Sequence, residues 1–268
     1  MLDLPSQQTL AVRWEHVERP IPAGSLLKPF VALAYGEKHA DSGFPESKRL
    51  FPVLRCRGKG DGCWRAGGHG SMALEQALAK SCNAYFLALA RDLSASGADS
   101  GFSEGLTAMG RVSASYGLPA PPSAGYVSGS GEERIPRMLI GVTPEWRISP
   151  VALANAYAKL ASQPQSDLVR RLLSGMRLAA APHGTAAKIG PHLGDALAKT
   201  GTAPCVASRQ AGADGCVANG DGLVVALTPA ENPRLLLLVR QRGTTGALAA
   251  EVAGRMLSRL EESHAPAR

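Results

Sequence analysis

The chain has 268 residues, of which 45% are apolar and 19% charged, and its net charge is +7. This composition is typical of a globular chain and excludes an intrinsically disordered one. The positive charge favours an acidic partner, but the basic residues form no stripe with interleaved aromatics, which argues against nucleic acid. No run of about 18 apolar residues is present to span a bilayer, so any membrane anchor is expected outside this chain.

Apolar periodicity and turn residues predict the elements of the first two thirds of the chain. A strand is expected over residues 9–14, and a helix is expected to begin at Ser25. Residues 41–70 are rich in glycine, proline and charge and predict a loop. A helical pattern runs from residue 71 to about 93, with a break near 81–83. Two further helices are expected at 150–161 and 166–180.

The last third of the chain changes character. Strands are expected at 196–202, 223–227 and 235–240, and an amphipathic helix at 247–260 closes the chain. No internal repeat and no strong boundary is visible. We therefore predict one domain over residues 1–268 with an α/β (α+β) fold, in which an antiparallel sheet is flanked by helices and a helical lobe, roughly 40–180, is inserted between the sheet-forming ends.

The first motif whose residues could take part in catalysis is Ser25-Leu26-Leu27-Lys28. Serine and lysine three residues apart share one face of a helical turn, so the lysine amine can reach the serine hydroxyl. A serine needs such a base to become a nucleophile, and burial can lower the pKa of a lysine enough for it to serve. Alone the pattern is weak, because a capping serine followed by a solvated lysine has the same spacing.

The second motif is Ser81-Cys82-Asn83, at the break in the helical pattern. A hydroxyl and an amide at this point could relay a proton and hold a substrate or a lysine in place. The alternative interpretation is an ordinary helix cap, which uses the same residue types.

The third motif is Lys199-Thr200-Gly201-Thr202-Ala203, at the end of an expected strand. The lysine supplies positive charge, the threonine hydroxyls can bind a carboxylate, and the glycine allows a substrate backbone to approach closely. The edge of such a strand can also pair with an extended peptide. The alternative is a strand that ends in a polar turn.

In this order and at these spacings, the three motifs resemble those of the active-serine penicillin-recognising family. The resemblance extends to residues 23–30, 68–86, 143–158 and 183–186, and covers the chain from about Thr9 to Leu257. The details are more similar to the high-molecular-mass penicillin-binding proteins than to the small β-lactamases. The resemblance implies a penicillin-binding-protein/β-lactamase-like transpeptidase fold and an active site between the sheet and the helical lobe.

The resemblance also implies roles for individual residues. Ser25 would be the nucleophile and Lys28 its base, and Ser81 and Asn83 would assist proton transfer and positioning. The backbone N–H groups of Ser25 and Thr202 would form the oxyanion hole. The implied reaction is D,D-transpeptidation of peptidoglycan stem peptides through an acyl-Ser25 intermediate, with covalent binding of β-lactam antibiotics.

By the same resemblance, Lys199, Thr200, Gly201 and Thr202 would bind the carboxylate end of the substrate. The family usually has glycine before its Lys-Thr-Gly sequence, where this chain has Ala198. The added methyl group could alter the strand and lower activity. A D,D-carboxypeptidase, a β-lactamase and a non-catalytic cell-wall-binding scaffold of the same fold remain open alternatives.

Cysteine and histidine residues form a second cluster of interest, spaced as C-x6-C-x5-H-x12-C over Cys56, Cys63, His69 and Cys82. Three thiolates and an imidazole are a tetrahedral ligand set for structural zinc. The arrangement resembles a metal site in some elongation-type penicillin-binding proteins. A Cys56–Cys63 disulfide is the open alternative. Either would brace the segment that carries the second motif, and catalysis itself would need no cofactor.

The remaining cysteines, Cys205 and Cys216, flank a polar loop after the third motif, and a disulfide between them is expected in an oxidising compartment. An extracytoplasmic location, in the periplasm or on the outer face of the cytoplasmic membrane, fits this pairing and the implied substrate. Cell-wall assembly proteins are further expected partners.

Overall fold

The computed structural model describes residues 1–40, 51–95, 104–123, 133–192, 195–204 and 220–264. The strands, in chain order, are β1 (Leu2–Asp3), β2 (Gln8–Thr9), β3 (Ile21–Pro22), β4 (Leu54–Cys56), β5 (Gly70–Met72), β6 (Arg147–Ile148), β7 (Leu197–Ala203), β8 (Asp221–Thr228) and β9 (Leu235–Arg242). The helices are α1 (Lys28–Lys38), α2 (Leu74–Ala79), α3 (Asn83–Ser94), α4 (Glu104–Ser115), α5 (Arg134–Leu139), α6 (Pro150–Ala161), α7 (Asp167–Ala180) and α8 (Gly246–His264). None of the helices in the described ranges has the length and apolarity required to cross a membrane.

Both ends of the chain build a five-stranded sheet in the order β2-β1-β9-β8-β7, and its strands pair antiparallel. The inner strand β8, between β9 and β7, is buried along its whole length, which explains the uninterrupted apolar run of residues 223–227. Because successive side chains of a strand alternate between faces, Leu223 and Val225 join the larger core cluster and Val224 joins a smaller cluster under α8. The strand β7 lies at one edge of the sheet.

The larger core cluster joins the sheet to the helical lobe, in which α2 packs on α7 and α1 packs on α3 and α4. Capping residues determine where two of these helices begin. Ser149 Oγ accepts from the N–H of Ala152 before α6, and Pro150 occupies the first turn, where its missing N–H costs nothing. Ser166 caps α7 in the same way. The predicted mixed fold with an antiparallel sheet, flanking helices and a helical lobe is confirmed.

Several elements differ from the expectation in extent. Of the strand expected over 9–14, only Thr9 lies in a strand, as the last residue of β2, because the ladder with β1 joins only Gln8 and Thr9. Within the expected loop of 41–70, β4 pairs with β5, which extends to Met72 into the region expected to be helical. Residues 41–50 lie outside the described residues. The helix α4 was not expected, although its buried Met109 and Val112 follow helical spacing.

Ala198 occupies a regular position in β7, opposite Ala226 of β8. Its methyl group is fully buried in the smaller core cluster, with Ala249, Ala250 and Ala253 of α8. The extra carbon relative to glycine therefore packs under α8, on the face of the sheet away from the larger core cluster. Its effect on activity stays a prediction.

Candidate active site

The predicted nucleophile, Ser25, lies in a 3-10 turn over Gly24–Leu27, and α1 begins only at Lys28, three residues later than expected. Side chains three residues apart eclipse one another in 3-10 geometry, so Ser25 and Lys28 still share one face. Pro29 in the first turn of α1 is already set for helical backbone angles.

Two glycines allow other backbone segments to touch the nucleophile turn. Gly24 has a φ of +58°, and a Cβ there would lie 3.0 Å from the carbonyl of Thr202. Gly141 has a φ of +73°, and a Cβ there would lie only 2.0 Å from the carbonyl oxygen of Gly24. L side chains rarely adopt such angles, so glycine is needed at both positions. The turn that carries Ser25 is therefore held directly between β7 and the segment after α5.

The second motif forms the link between α2 and α3. The N–H of Ser81 donates to the carbonyl of Leu78, and the N–H of Cys82 donates to the carbonyl of Ala77. This pair of bonds is a Schellman motif, in which the residue at the Ser81 position is left-handed and is most often glycine. Ser81 has a φ of +48°. A left-handed serine in place of the usual glycine is the kind of strained position that clusters at functional sites.

The Ser81 side chain connects the first motif to the third. Lys28 Nζ lies 3.2 Å from Ser81 Oγ, and Lys199 Nζ lies 2.9 Å from the same oxygen. Lys28 Nζ also donates to the Ser81 carbonyl at 2.7 Å and to Asn83 Oδ1 at 2.6 Å. Lys28 and Lys199, which lie 53 and 118 positions from Ser81 in the chain, thus belong to one hydrogen-bonded network centred on Ser81.

Both lysines of this network are fully buried. Burial lowers the pKa of Lys28 to about 7, against a smaller opposing effect of the neighbouring Cys82 and Cys63. Burial and then the charge of Lys28 lower the pKa of Lys199 well below its ordinary value. A neutral amine has two N–H groups and one lone pair, so a lysine with a pKa near 7 can act as a base at neutral pH.

Ser25 is half-buried, and within the described part of the chain its hydroxyl makes no hydrogen bond to Lys28 or to another side chain. Lys28 is turned towards the second motif, where its Nζ bonds to Ser81 and Asn83. Hydrogen bonds at a catalytic centre are often long or absent until the substrate is bound.

The third motif lies on the edge strand β7, beside the nucleophile turn. Gly201 has its Cα against this turn, since a Cβ there would meet Ser25 N, the Ala23 carbonyl oxygen and Leu26 Cγ, all at 3.3 Å. Close contact with the nucleophile turn, and not only with a substrate, therefore favours glycine here. Thr202 is exposed, and its Oγ1 accepts from the N–H of Gly246.

Two groups beside the third motif were not singled out from the sequence. Thr185 Oγ1 lies 2.7 Å from Thr200 Oγ1, although the segment 183–186 was noted only for its resemblance. Asp221, which pairs with Ala203 in the sheet, is buried and bound to Arg240 and to the N–H of Gly243. Arg240 carried no signal, because a charged residue at a strand end is usually solvated.

The predicted metal ligands Cys56, Cys63, His69 and Cys82 are brought together beside the second motif. Their sulfur and nitrogen atoms all lie within 4.8 Å of one another, and the three cysteines are free, buried thiols. His69 Nδ1 faces the cluster, 3.2 Å from Cys63 Sγ and 3.8 Å from Cys56 Sγ. The predicted Cys205–Cys216 pair lies outside the described residues.

The chemistry of this donor set fits zinc. A tetrahedral zinc ion takes sulfur ligands at about 2.3 Å and nitrogen at about 2.0 Å, so its ligand atoms are separated by roughly 3.5–4 Å. Burial lowers the pKa of His69, which favours the neutral imidazole that ligation requires. Burial raises the pKa of the Cys82 thiol to about 12, so its deprotonation would depend on the charge of a bound ion. Cys82 lies between Ser81 and Asn83, so an ion held there would fix the second motif.

Comparisons with known structures identify the fold. Helicobacter pylori penicillin-binding protein PBP2, in complex with MreC, has a TM-score of 0.70 at 15% identity, over 91% of this chain and 50% of that one. Pseudomonas aeruginosa PBP2 in complex with WCK 5153 has a TM-score of 0.64 at 21% identity, over 95% and 64%. Mycobacterium tuberculosis penicillin-binding protein A, as an imipenem acyl-enzyme complex, has a TM-score of 0.59 at 18% identity, over 90% and 60%.

This chain thus spans about half the length of the H. pylori protein. No curated protein sequence matches it. The family model of the penicillin binding protein transpeptidase domain matches residues 3–258, which is nearly the whole chain. This chain belongs to the family of penicillin-binding-protein transpeptidase domains.

Proposed function

We propose that this chain is a serine D,D-transpeptidase that cross-links peptidoglycan stem peptides through an acyl-Ser25 intermediate. The observation that supports this most strongly is the buried hydroxyl of Ser81, which contacts both Lys28 and Lys199 beside the nucleophile turn. A structural helix cap would need neither buried lysine. M. tuberculosis penicillin-binding protein A, a relative of the same fold, is known as an imipenem acyl-enzyme complex.

In the first step, Ser25 Oγ attacks the carbonyl carbon between the two D-alanines, and its proton passes to Lys28. With its N–H groups donated to Asn83 Oδ1 and the Ser81 carbonyl, a neutral Lys28 keeps its lone pair for this proton. The N–H groups of Ser25 and Thr202 stabilise the developing oxyanion.

Collapse of the tetrahedral intermediate breaks the C–N bond to the terminal D-alanine. The proton held by Lys28 reaches the leaving amine through the Ser81 hydroxyl, which lies within hydrogen-bond distance of Lys28. Lys199, Thr200 and Thr202 bind the terminal carboxylate. An acceptor amine then attacks the acyl carbon and gives a proton to Lys28. Lys28 passes this proton to Ser25 Oγ as the bond between Oγ and the acyl carbon breaks.

We also propose that Cys56, Cys63, His69 and Cys82 hold a structural zinc ion. The ion would supply no catalytic chemistry and would fix the link that carries Ser81. Metal analysis of the purified chain should give one zinc per chain, which Cys82→Ser loses and the control His16→Ala retains. If a Cys56–Cys63 disulfide forms instead, these two thiols will resist alkylation in the unfolded, unreduced chain.

An extracytoplasmic location follows from the proposed substrate. Partner proteins of cell-wall assembly are proposed by analogy with H. pylori PBP2, whose structure was determined in complex with MreC.

Labelling with a fluorescent penicillin, followed by intact mass, tests the proposed function. We expect one covalent adduct in the wild type and in the control Ser115→Ala, whose serine is exposed on α4, and none in Ser25→Ala. A D-Ala-D-Ala peptide with an amine acceptor then separates transfer from hydrolysis, and steady turnover of penicillin would indicate a β-lactamase. A folded wild type without an adduct would favour a non-catalytic scaffold.

A further inference from the structure

We propose that Thr185, outside the three motifs, is a positioning residue that orients the Thr200 hydroxyl towards the carboxylate of the substrate. This inference rests on the proposed function, which makes Thr200 a carboxylate ligand. The observation behind it is the 2.7 Å separation of Thr185 Oγ1 and Thr200 Oγ1. Thr200 is 5% exposed, so water competes little for its hydroxyl.

Thr185 is itself held firmly, between the helical lobe and the sheet. Its N–H donates to the carbonyl of Ala79, the last residue of α2 and two positions before Ser81, at 3.1 Å. The N–H of the next residue, Ala186, donates to the carbonyl of Ala179 in α7 at 2.8 Å. Thr185 therefore joins the helix that leads into the second motif to the strand that carries the third.

A threonine side chain needs such a partner to present its hydroxyl in one direction. Rotation about χ1 moves the hydroxyl and the methyl group between three staggered positions, and only one of them aims the hydroxyl at a given ligand. The bond to Thr185 favours the rotamer of Thr200 in which Oγ1 faces residue 185. Loss of that bond allows rotamers in which the methyl group replaces the hydroxyl at the carboxylate.

Thr185 can also supply a proton that leaves the Thr200 hydroxyl free to donate to the substrate. In the structure, Thr200 Oγ1 donates to Thr185 Oγ1. A hydroxyl carries one proton and two lone pairs, so this bond can reverse when a carboxylate binds. Thr185 then donates to Thr200 Oγ1, and Thr200 donates to the carboxylate. Valine at position 185 has nearly the same shape but cannot donate. The change from threonine to valine therefore removes the orienting bond and leaves the packing almost intact.

The test compares benzylpenicillin, which has a free carboxylate, with its methyl ester, which does not. We expect Thr185→Val to lower the second-order rate constant of acylation by benzylpenicillin about tenfold, mainly through weaker binding before acylation. The methyl ester should change by less than about twofold. Thr185→Ser, which keeps the hydroxyl, should restore most of the loss. Thr9→Val, on the opposite edge strand β2, is the matched control and should match the wild type.

A double-mutant cycle distinguishes action through Thr200 from a general structural effect. If Thr185 acts through Thr200, then Thr185→Val should cause no further loss in the Thr200→Val background. Equal losses for benzylpenicillin and its ester, or no loss for either, would overturn the inference and leave the proposed function standing. A wild type that benzylpenicillin does not acylate would overturn both. If Thr185→Val shows no cooperative unfolding transition, Thr185→Ala replaces it with the same expected result.

Discussion

Ser81 combines a left-handed backbone, with a φ of +48°, with a hydroxyl that lies within hydrogen-bond distance of two buried lysines. Substitution by glycine and by alanine separates these two properties. Both variants lose the hydroxyl, but only glycine relieves the left-handed backbone. We therefore expect Ser81→Gly to be more stable than Ser81→Ala, and both variants to lose activity.

The size of the difference follows from the geometry. A non-glycine residue in the left-handed region costs about 1–2 kcal/mol. Glycine relieves this strain, but it loses more conformational freedom on folding than alanine does. The extra entropy cost offsets about 0.4–1 kcal/mol of the stabilisation. The free energy of unfolding of Ser81→Gly should therefore exceed that of Ser81→Ala by about 0.5–1 kcal/mol. For a chain of this size the difference corresponds to a rise in Tm of about 1–4 °C.

Thermal unfolding and penicillin labelling of the same samples provide the measurements. The acylation rate should fall by about 10²- to 10⁴-fold in both variants, because the proton path to the leaving group is lost. Equal stability of the two variants would show that the backbone strain is no larger than the entropy cost of glycine, about 0.4–1 kcal/mol, and would contradict the expected difference. An acylation rate close to that of the wild type in either variant would remove Ser81 from the reaction path.

Three further predictions concern the network and its supports. The acylation rate should rise with pH and level off above about pH 7, because the base form of Lys28 is the neutral amine and its pKa is about 7. An acylation rate that is independent of pH between 5 and 9 would contradict the role of Lys28 as the base. Asp221→Asn should lower the free energy of unfolding by about 3 kcal/mol in urea denaturation, because it leaves the largely buried Arg240 without its carboxylate. Gly141→Ala should destabilise the fold by about 2–3 kcal/mol and slow acylation, because its Cβ would force the Gly24 carbonyl, 2.0 Å away, to move. Unchanged penicillin labelling would show that the position of this carbonyl does not affect acylation of Ser25.

Features that depend on neighbouring residues could be predicted from the sequence. The spacing of Ser25 and Lys28 puts the two side chains on one face whether the turn is 3-10 or α-helical, so the error in the start of α1 did not change the outcome. The helix over 150–161 was confirmed residue for residue, since an N-cap serine and a first-turn proline act locally. The buried strand β8 was expected from its apolar run.

Features that join distant segments were decided only by tertiary packing. The sequence shows no reason for Ser81 to be left-handed, or for its hydroxyl to meet lysines 53 and 118 positions away. The contact of Thr185 with Thr200 depends on how α7 packs on α2 and on β7.

Lys28 shows both kinds of feature, the local and the tertiary. The residue type and its place after Ser25 are local facts, and they identify a candidate base. Its pKa of about 7 arises from complete burial, which the surrounding helices and the sheet produce together. The sequence by itself determined which groups are available for acyl transfer, because short-range spacing sets which side chains share a face. Only the tertiary structure decided their protonation and their partners, because desolvation and long-range contacts exist only in the packed chain.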